Sequence, residues 1–70
     1  SPRAKTIKLA DLIHNTESIV ANDPGFAKMY LAEKRLLMEV LREGDETLWK
    51  RAMSLLEDSE AYLRRNYIEY

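Results

Sequence analysis

The amino-acid sequence predicts a small all-α fold, in which three helices pack in an up-down-up arrangement. Two breaks divide the chain, one at residues 22–25 (Asn-Asp-Pro-Gly) and the other at residues 43–45 (Glu-Gly-Asp). Each of the three segments repeats its apolar residues at helical spacing, and none shows the alternation of a strand. Because short connections join antiparallel neighbours, we expect helices at about 3–21, 24–43 and 45–67.

The composition limits the classes of protein to which the chain can belong. Hydrophobic residues make up 46% and charged residues 33% of its 70 residues, which favours a folded domain over a disordered tail. The net charge of −1 gives no general attraction to nucleic acid or anionic lipid. No apolar run reaches the ~20 residues of a membrane helix, and the absence of cysteine fits a reducing compartment. We therefore expect a cytoplasmic protein that has no membrane partner.

The two breaks carry the signals with which helices end and begin. Asp23 and Asp45 can accept hydrogen bonds from the first free N–H groups of the helices that follow them. Pro24 suits a first helical position, where its missing N–H group costs nothing. Gly44 is expected in the left-handed conformation that ends many helices.

The apolar residues at helical spacing predict the core. Those of helix one fall within a single arc and are Leu9, Leu12, Ile13, Thr16, Ile19 and Val20. The stripe of helix two is Phe26, Met29, Tyr30, Leu37, Val40 and Leu41. The stripe of helix three is Leu48, Ala52, Leu55, Leu56, Tyr62 and Leu63, widened by Trp49, Met53 and Tyr67. From these stripes we expect a core of Leu9, Ile13, Val20, Tyr30, Leu37, Leu41, Ala52, Leu55, Leu56 and Tyr62, in which the Met and aromatic residues fill gaps.

Helix one has a second face that is small and mostly polar. Lys8, Asp11 and Asn15 lie on this face together with Ser18, and Ile7 and His14 lie beside them. Asp and Asn are poor residues for a helix interior, because their short side chains compete for nearby backbone groups. The pattern is compatible both with a solvated polar face and with a functional site. The single histidine cannot build a metal site alone, so we expect a hydrogen bond on the helix face for it.

Residues 8–15 (Lys-Leu-Ala-Asp-Leu-Ile-His-Asn) resemble the motif KLADRLHN of the guanosine polyphosphate (alarmone) hydrolases, which belong to the HD superfamily of metal-dependent phosphohydrolases. Six of the eight positions are identical. The resemblance implies that Asp11 is the last of the metal ligands and that Asn15 is a catalytic or substrate-binding residue of the same pocket. Lys8, nearby on the same helix, could contact a substrate phosphate or stay solvated. Leu12 stands where the motif has Arg, and residues 26–41 are more loosely similar to the next helix of small HD hydrolases.

The other metal ligands of that family, a His and a His-Asp pair, precede the motif and have no counterpart in this sequence. The resemblance therefore implies either the C-terminal portion of an HD-domain helical fold, inactive by itself, which we favour, or a degenerate member of the family. The complete domain would use a divalent cation such as Mn²⁺ and a nucleotide substrate, with (p)ppGpp-like alarmones as the expected class. The isolated chain would bind no cofactor, and its helix one would pack against a missing N-terminal segment or form a homo-oligomer.

Two other classes of function remain as alternatives. The chain can be a non-catalytic helical interaction or oligomerisation module, in which the second face of helix one docks on another protein or on its own copy. A nucleic-acid site built from Arg64 and Arg65 with Tyr62 and Tyr67 has too small an electrostatic footprint, and we expect no nucleic-acid partner.

Overall fold

The structure, a computed structural model, describes residues 1–67, and this part of the chain folds into three α-helices. Helix α1 spans Pro2–Asn22, α2 spans Pro24–Leu41 and α3 spans Glu46–Asn66. The predicted all-α class is confirmed, and each helix end lies within two residues of its predicted position. The predicted domain, 1–70, includes residues 68–70, which lie outside the described part.

The two predicted N-terminal caps are present. The Asp23 side chain accepts a hydrogen bond from the Phe26 backbone N–H at 3.2 Å, and Asp45 accepts one from the Leu48 N–H at 2.9 Å. Pro24 occupies the first position of α2, as its missing N–H group predicts. Local hydrogen-bonding chemistry therefore sets where α2 and α3 begin.

Gly44 does not have the predicted conformation. No residue in the described range has a positive φ angle, and Arg42, at the end of α2, keeps a right-handed helical conformation. Gly44 instead allows α1 to approach the turn between α2 and α3. A Cβ atom at this position would lie 2.9 Å from the Leu9 Cδ1 atom and 3.0 Å from the Thr6 backbone nitrogen. The glycine is thus required by a close contact between helices rather than by a left-handed turn.

The helices run up, down and up, as predicted. An ion pair between Lys5 and Glu43 joins the start of α1 to the chain just after α2. The Arg35 Nε–H group donates to Glu60 Oε1 at 2.8 Å and links the middle of α2 to the later part of α3. Each helix packs against the other two, in a body of 39 × 17 × 16 Å. No helix in residues 1–67 has an apolar stretch long enough to cross a membrane.

The core lies along the common axis of the three helices. Its buried apolar residues are Leu9, Leu12, Ala27, Tyr30, Leu31, Met38, Leu41, Ala52, Leu56 and Leu63. Five residues of the predicted core are confirmed as buried, namely Leu9, Tyr30, Leu41, Ala52 and Leu56. Four others are half-buried at its edge, namely Ile13, Val20, Leu37 and Leu55. The prediction is wrong for Tyr62, which is 46% exposed because it lies at the margin between α3 and α1.

The predicted stripe of α2 is only partly buried. Phe26, Met29 and Val40 belong to that stripe but are exposed, together with Leu36. The buried residues of α2 lie on the neighbouring arc and include Ala27, Leu31 and Met38. Helices α1 and α3 can cover only the arc that faces them, so the apolar residues on the far side stay in contact with solvent. We call Phe26, Met29, Leu36 and Val40 the outer stripe of α2.

Polar groups inside the core are satisfied by hydrogen bonds. The Thr16 hydroxyl donates to the Tyr30 hydroxyl at 3.2 Å, and that hydroxyl lies 3.5 Å from the Leu12 carbonyl oxygen, its acceptor. The Trp49 indole N–H donates to the Met38 carbonyl at 2.9 Å. Among the described side chains, no buried nitrogen or oxygen lacks a partner. These bonds fix α2 against both of its neighbours.

Candidate functional site

The residues that the sequence singled out lie on the solvent side of α1. Ile7, Lys8, Asp11, His14 and Asn15 are all exposed, and we call them the outer face of α1. The buried residues of α1 point in the opposite direction, toward α2 and α3. A separation of four residues places the Cβ atoms of Asp11 and Asn15 about 5–6 Å apart on a helix surface. The structure therefore brings the predicted site residues together on one face.

The packing of the domain does not use Asp11 or Asn15. Within residues 1–67, neither side chain makes a hydrogen bond or an ion pair. The expected hydrogen bond of His14 is also absent among the described residues, because this side chain points into solvent. The fold thus gives no structural reason for an Asp and an Asn in the middle of α1.

Two further positions of the motif have different surroundings. Lys8 is exposed and makes no ion pair with Asp11 in the described part of the chain, so its ammonium group can reach an anion in solvent. Leu12 is buried, with 4% of its surface exposed. The position at which the motif has Arg therefore contributes to the core, and its side chain cannot touch a ligand on the outer face of α1.

A metal centre needs more ligands than this face provides. Residues 1–67 contain no group of three or more His, Cys, Asp or Glu side chains placed to hold one ion. Catalytic zinc sites, for comparison, have three protein ligands and leave one position for water or substrate. Asp11 and His14 lie about one turn apart and give two ligands at most. The residues described here do not fit a complete metal site.

A shallow groove of about 330 Å³ lies between the later parts of α1 and α3. Val20, Leu55 and Tyr62 line it with apolar surface, and Glu17 and Asp58 supply carboxylates. The outer face of α1 contributes no residue to this groove, so it is separate from the predicted site. Sequence periodicity missed the groove because it assigned Tyr62 to the core.

The pKa of Glu43, just after α2, is shifted by a contact with the start of α1. The Lys5 ammonium group donates a hydrogen bond to the Glu43 carboxylate, and this bond and its positive charge hold the pKa of Glu43 below the ordinary value of 4.5. Lys5 precedes Asp11 by more than one turn and faces the turn between α2 and α3. This ion pair therefore holds helices together and does not belong to the outer face of α1.

The basic end of α3 has a simple structural role. Arg64 and Arg65 lie in the last turn of α3 and are exposed, as are Tyr62 and Tyr67. Positive side chains in the last turn stabilise a helix, because they oppose the partial negative charge of its free carbonyl groups.

No family model, curated protein or solved structure matches this chain. The resemblance to the alarmone hydrolases therefore depends on the sequence alone, on residues 8–15 and more loosely on residues 26–41.

Proposed function

We propose that this chain is the C-terminal helical part of a metal-dependent phosphohydrolase of the HD type. The complete enzyme would cleave a phosphoester or pyrophosphate bond in a nucleotide, with (p)ppGpp-like alarmones as the preferred class, in the cytoplasm. One observation carries this proposal. Asp11 and Asn15 stand one turn apart in the interior of α1, exposed, and without a partner among the described side chains. A site for which they are needed would account for two residues that disfavour a helix interior.

Each residue of the outer face of α1 has a proposed task. The carboxylate of Asp11 would be one ligand of a divalent cation, with Mn²⁺ as the expected ion. The amide of Asn15 can orient a water molecule or a substrate oxygen, and Lys8 can contact a phosphate. Because the described residues do not complete a metal site, the other ligands must come from outside this chain. We assign no catalytic step to the chain alone.

The same ligand count supports a proposed partner for α1. A preceding segment that carries a His and a His-Asp pair would have to lie against the outer face of α1 to reach an ion bound by Asp11. This segment would cover the exposed Ile7 as well. In its absence, the same face could bind a second copy of the chain.

A non-catalytic function is the alternative. The outer face of α1 would then be a docking surface for another protein, with Ile7, which is 57% exposed, as its apolar contact. In this case the charge of Asp11 would matter little, because no cation would need it. Substitution of Asp11 therefore separates the two functions.

The decisive experiment compares matched variants of the longest protein whose coding sequence contains this chain. Hydrolysis of (p)ppGpp with added Mn²⁺ is measured for Asp11→Asn, Asn15→Ala and Asp58→Asn. We expect a ~10–100-fold loss for Asn15→Ala, typical of groups that orient metal sites, and a larger loss for Asp11→Asn. Asp58→Asn is the control, because it removes the same charge from an exposed position on α3. Unchanged turnover and metal content in Asp11→Asn would contradict the proposal.

The 70-residue chain gives a second test. Calorimetric titration with Mn²⁺ should show only weak binding, which Asp11→Asn weakens further, and the chain should not hydrolyse the nucleotide. Tight binding that survives Asp11→Asn would place the ion elsewhere.

A further inference from the structure

We propose that a second copy of this chain docks on the outer stripe of α2 and forms an antiparallel homodimer. The stripe lies on a different helix from Asp11 and Asn15, and the inference does not depend on the proposed hydrolase function. Its four residues, Phe26, Met29, Leu36 and Val40, are the main apolar surface that the described fold leaves uncovered.

The outer stripe of α2 has the spacing of a helix-pairing seam. Phe26, Met29, Leu36 and Val40 follow one another at intervals of three, seven and four residues, which keeps them on one side of the helix. The stripe is about 21 Å long, at 1.5 Å per residue. Leu36, near its middle, is 79% exposed. Single exposed apolar residues are common on protein surfaces, but an aligned set of this length indicates an interaction surface.

The stripe is nearly symmetric about Glu33, which favours a second copy as its occupant. Phe26 and Val40 each lie seven residues from Glu33, whereas Met29 lies four before it and Leu36 three after it. In an antiparallel pair centred on Glu33, Phe26 therefore meets Val40 of the second copy. Met29 likewise meets Leu36 of the second copy. A two-fold axis through this centre repeats the same contacts on both sides, as a closed dimer requires.

The charges beside the stripe favour the antiparallel direction. Lys28 and Glu39 lie on the same flank of α2, five residues before Glu33 and six after it. The antiparallel pair places Lys28 beside Glu39 of the second copy, whereas in a parallel two-fold pair this flank faces the opposite flank of the second helix and the two charges do not meet. Lys28 also has an interaction within its own chain, and an ammonium group has three donors, so both contacts are compatible.

The size of the stripe indicates a weak dimer. Stable interfaces bury about 800 Å² on each partner, which is more than one short helix stripe supplies. At the centre of the dimer, Glu33 of one copy also faces Glu33 of the other, and the two negative charges repel each other. We therefore expect dissociation constants in the micromolar range or weaker. The outer face of α1 is a poorer candidate, because Ile7 is its one large exposed apolar residue among those described.

Sedimentation equilibrium of the 70-residue chain, from micromolar to millimolar concentration, tests the interface. We expect Leu36→Lys to weaken the dimer at least ~10-fold, because it places a charge within the stripe. Glu33→Leu should tighten it at least ~10-fold, because it removes the central repulsion and extends the apolar contact. Ile7→Lys is the matched control, since it makes the same kind of change on α1. All three positions are exposed, and circular dichroism should show an unchanged helix content.

The chain contains no cysteine, so introduced thiols can report the direction of pairing. Phe26→Cys and Val40→Cys are mixed and oxidised under mild conditions. The antiparallel dimer predicts that the disulfide joining the two different variants forms in preference to either self-linked product.

Several results would overturn the proposal. One is a wild-type chain and a Glu33→Leu variant that both stay monomeric up to millimolar concentration. Another is a dimer that survives Leu36→Lys but is lost in Ile7→Lys, which would place the interface on α1. Preferential self-linking of the cysteine variants would refute the antiparallel direction.

Discussion

Replacement of Gly44 by Ala tests how closely α1 approaches the turn between α2 and α3. The added Cβ atom would lie 2.9 Å from Leu9 Cδ1, 3.0 Å from the Thr6 nitrogen and 3.1 Å from the Lys5 carbonyl carbon. Non-bonded carbon atoms prefer separations of about 3.5–4.0 Å. Two of the three atoms belong to the backbone of α1, and Leu9 is completely buried, so a side-chain rotation cannot relieve the contact.

The expected loss of stability follows from these contacts. A forced shift in a packed region costs about 1–3 kcal/mol. Moving α1 away would also strain the hydrogen bond from the Asp45 N–H to Thr6 Oγ1, now 2.8 Å long, and such a bond contributes about 1 kcal/mol. Against this, loss of glycine freedom in the unfolded chain stabilises by about 0.4–1 kcal/mol where φ is negative. We expect a net loss of about 1–3 kcal/mol for Gly44→Ala.

Urea unfolding followed by circular dichroism measures this loss, and the chain contains its own control. Gly25 lies in the first turn of α2, where an added Cβ would meet no atom closer than Asp23 Oδ1 at 3.9 Å. Gly25→Ala should therefore raise the free energy of unfolding, by up to about 1 kcal/mol. The same substitution should have opposite signs at the two glycines.

A third variant separates the close contact from the left-handed conformation that the sequence predicted. Asn tolerates that conformation, so Gly44→Asn would be milder than Gly44→Ala if the backbone at this residue were left-handed. If the close contact with α1 is the cause, Gly44→Asn should lower the stability at least as much as Gly44→Ala, because Asn carries the same Cβ atom. Wild-type stability in Gly44→Ala, or a clearly more stable Gly44→Asn, would refute the reasoning.

Two further predictions concern the core and the ion pair at the end of the bundle. Leu56→Ala should lower the free energy of unfolding by about 2–5 kcal/mol, because Leu56 is fully buried. The exposed control Leu36→Ala should change it by no more than about 0.5 kcal/mol. Urea unfolding of both variants measures the two losses, and equal losses would contradict the assigned core. An NMR titration should place the pKa of Glu43 below 4.5 and show it rising toward that value in Lys5→Met. Because the pKa of Glu43 is lowered in the folded state, the Lys5–Glu43 pair stabilises the fold above pH 4.5, and this contribution is lost as the pH falls through the lowered pKa. If the pKa of Glu43 were the same in the wild type and in Lys5→Met, Lys5 would not be the cause of the shift.

The features that the sequence predicted correctly are those with local causes. Asp23 and Asp45 cap helices through hydrogen bonds to residues three positions later, so their signal is contained in a few neighbouring residues. The exposure of Asp11 and Asn15 follows from the angular position of polar residues on one helix. Such patterns need no knowledge of what lies on the other side of the core.

The face that α2 buries could not be predicted in this way. Two arcs of this helix are apolar, and each contains one charged residue, Glu33 on the exposed arc and Lys34 on the other. Periodicity alone gives no reason to choose between them. The choice is made by long-range contacts, such as those of Tyr30 with Thr16 on α1 and of Met38 with Trp49 on α3. Gly44 was misjudged for the same reason, since its close neighbour Leu9 is distant in sequence.

The Thr6 hydroxyl connects two helix ends, with a consequence for local unfolding. Its oxygen accepts the Asp45 N–H, and the same hydroxyl donates to the Pro2 carbonyl at 2.9 Å in the first turn of α1. Fraying of this turn would displace the acceptor and release the Asp45 amide to solvent. The amide hydrogen of Asp45 should therefore exchange with deuterium at a rate set by the opening of α1, although it lies 39 residues further along the chain. One slowly exchanging proton at the start of α3 thus reports whether the other end of the sequence is folded.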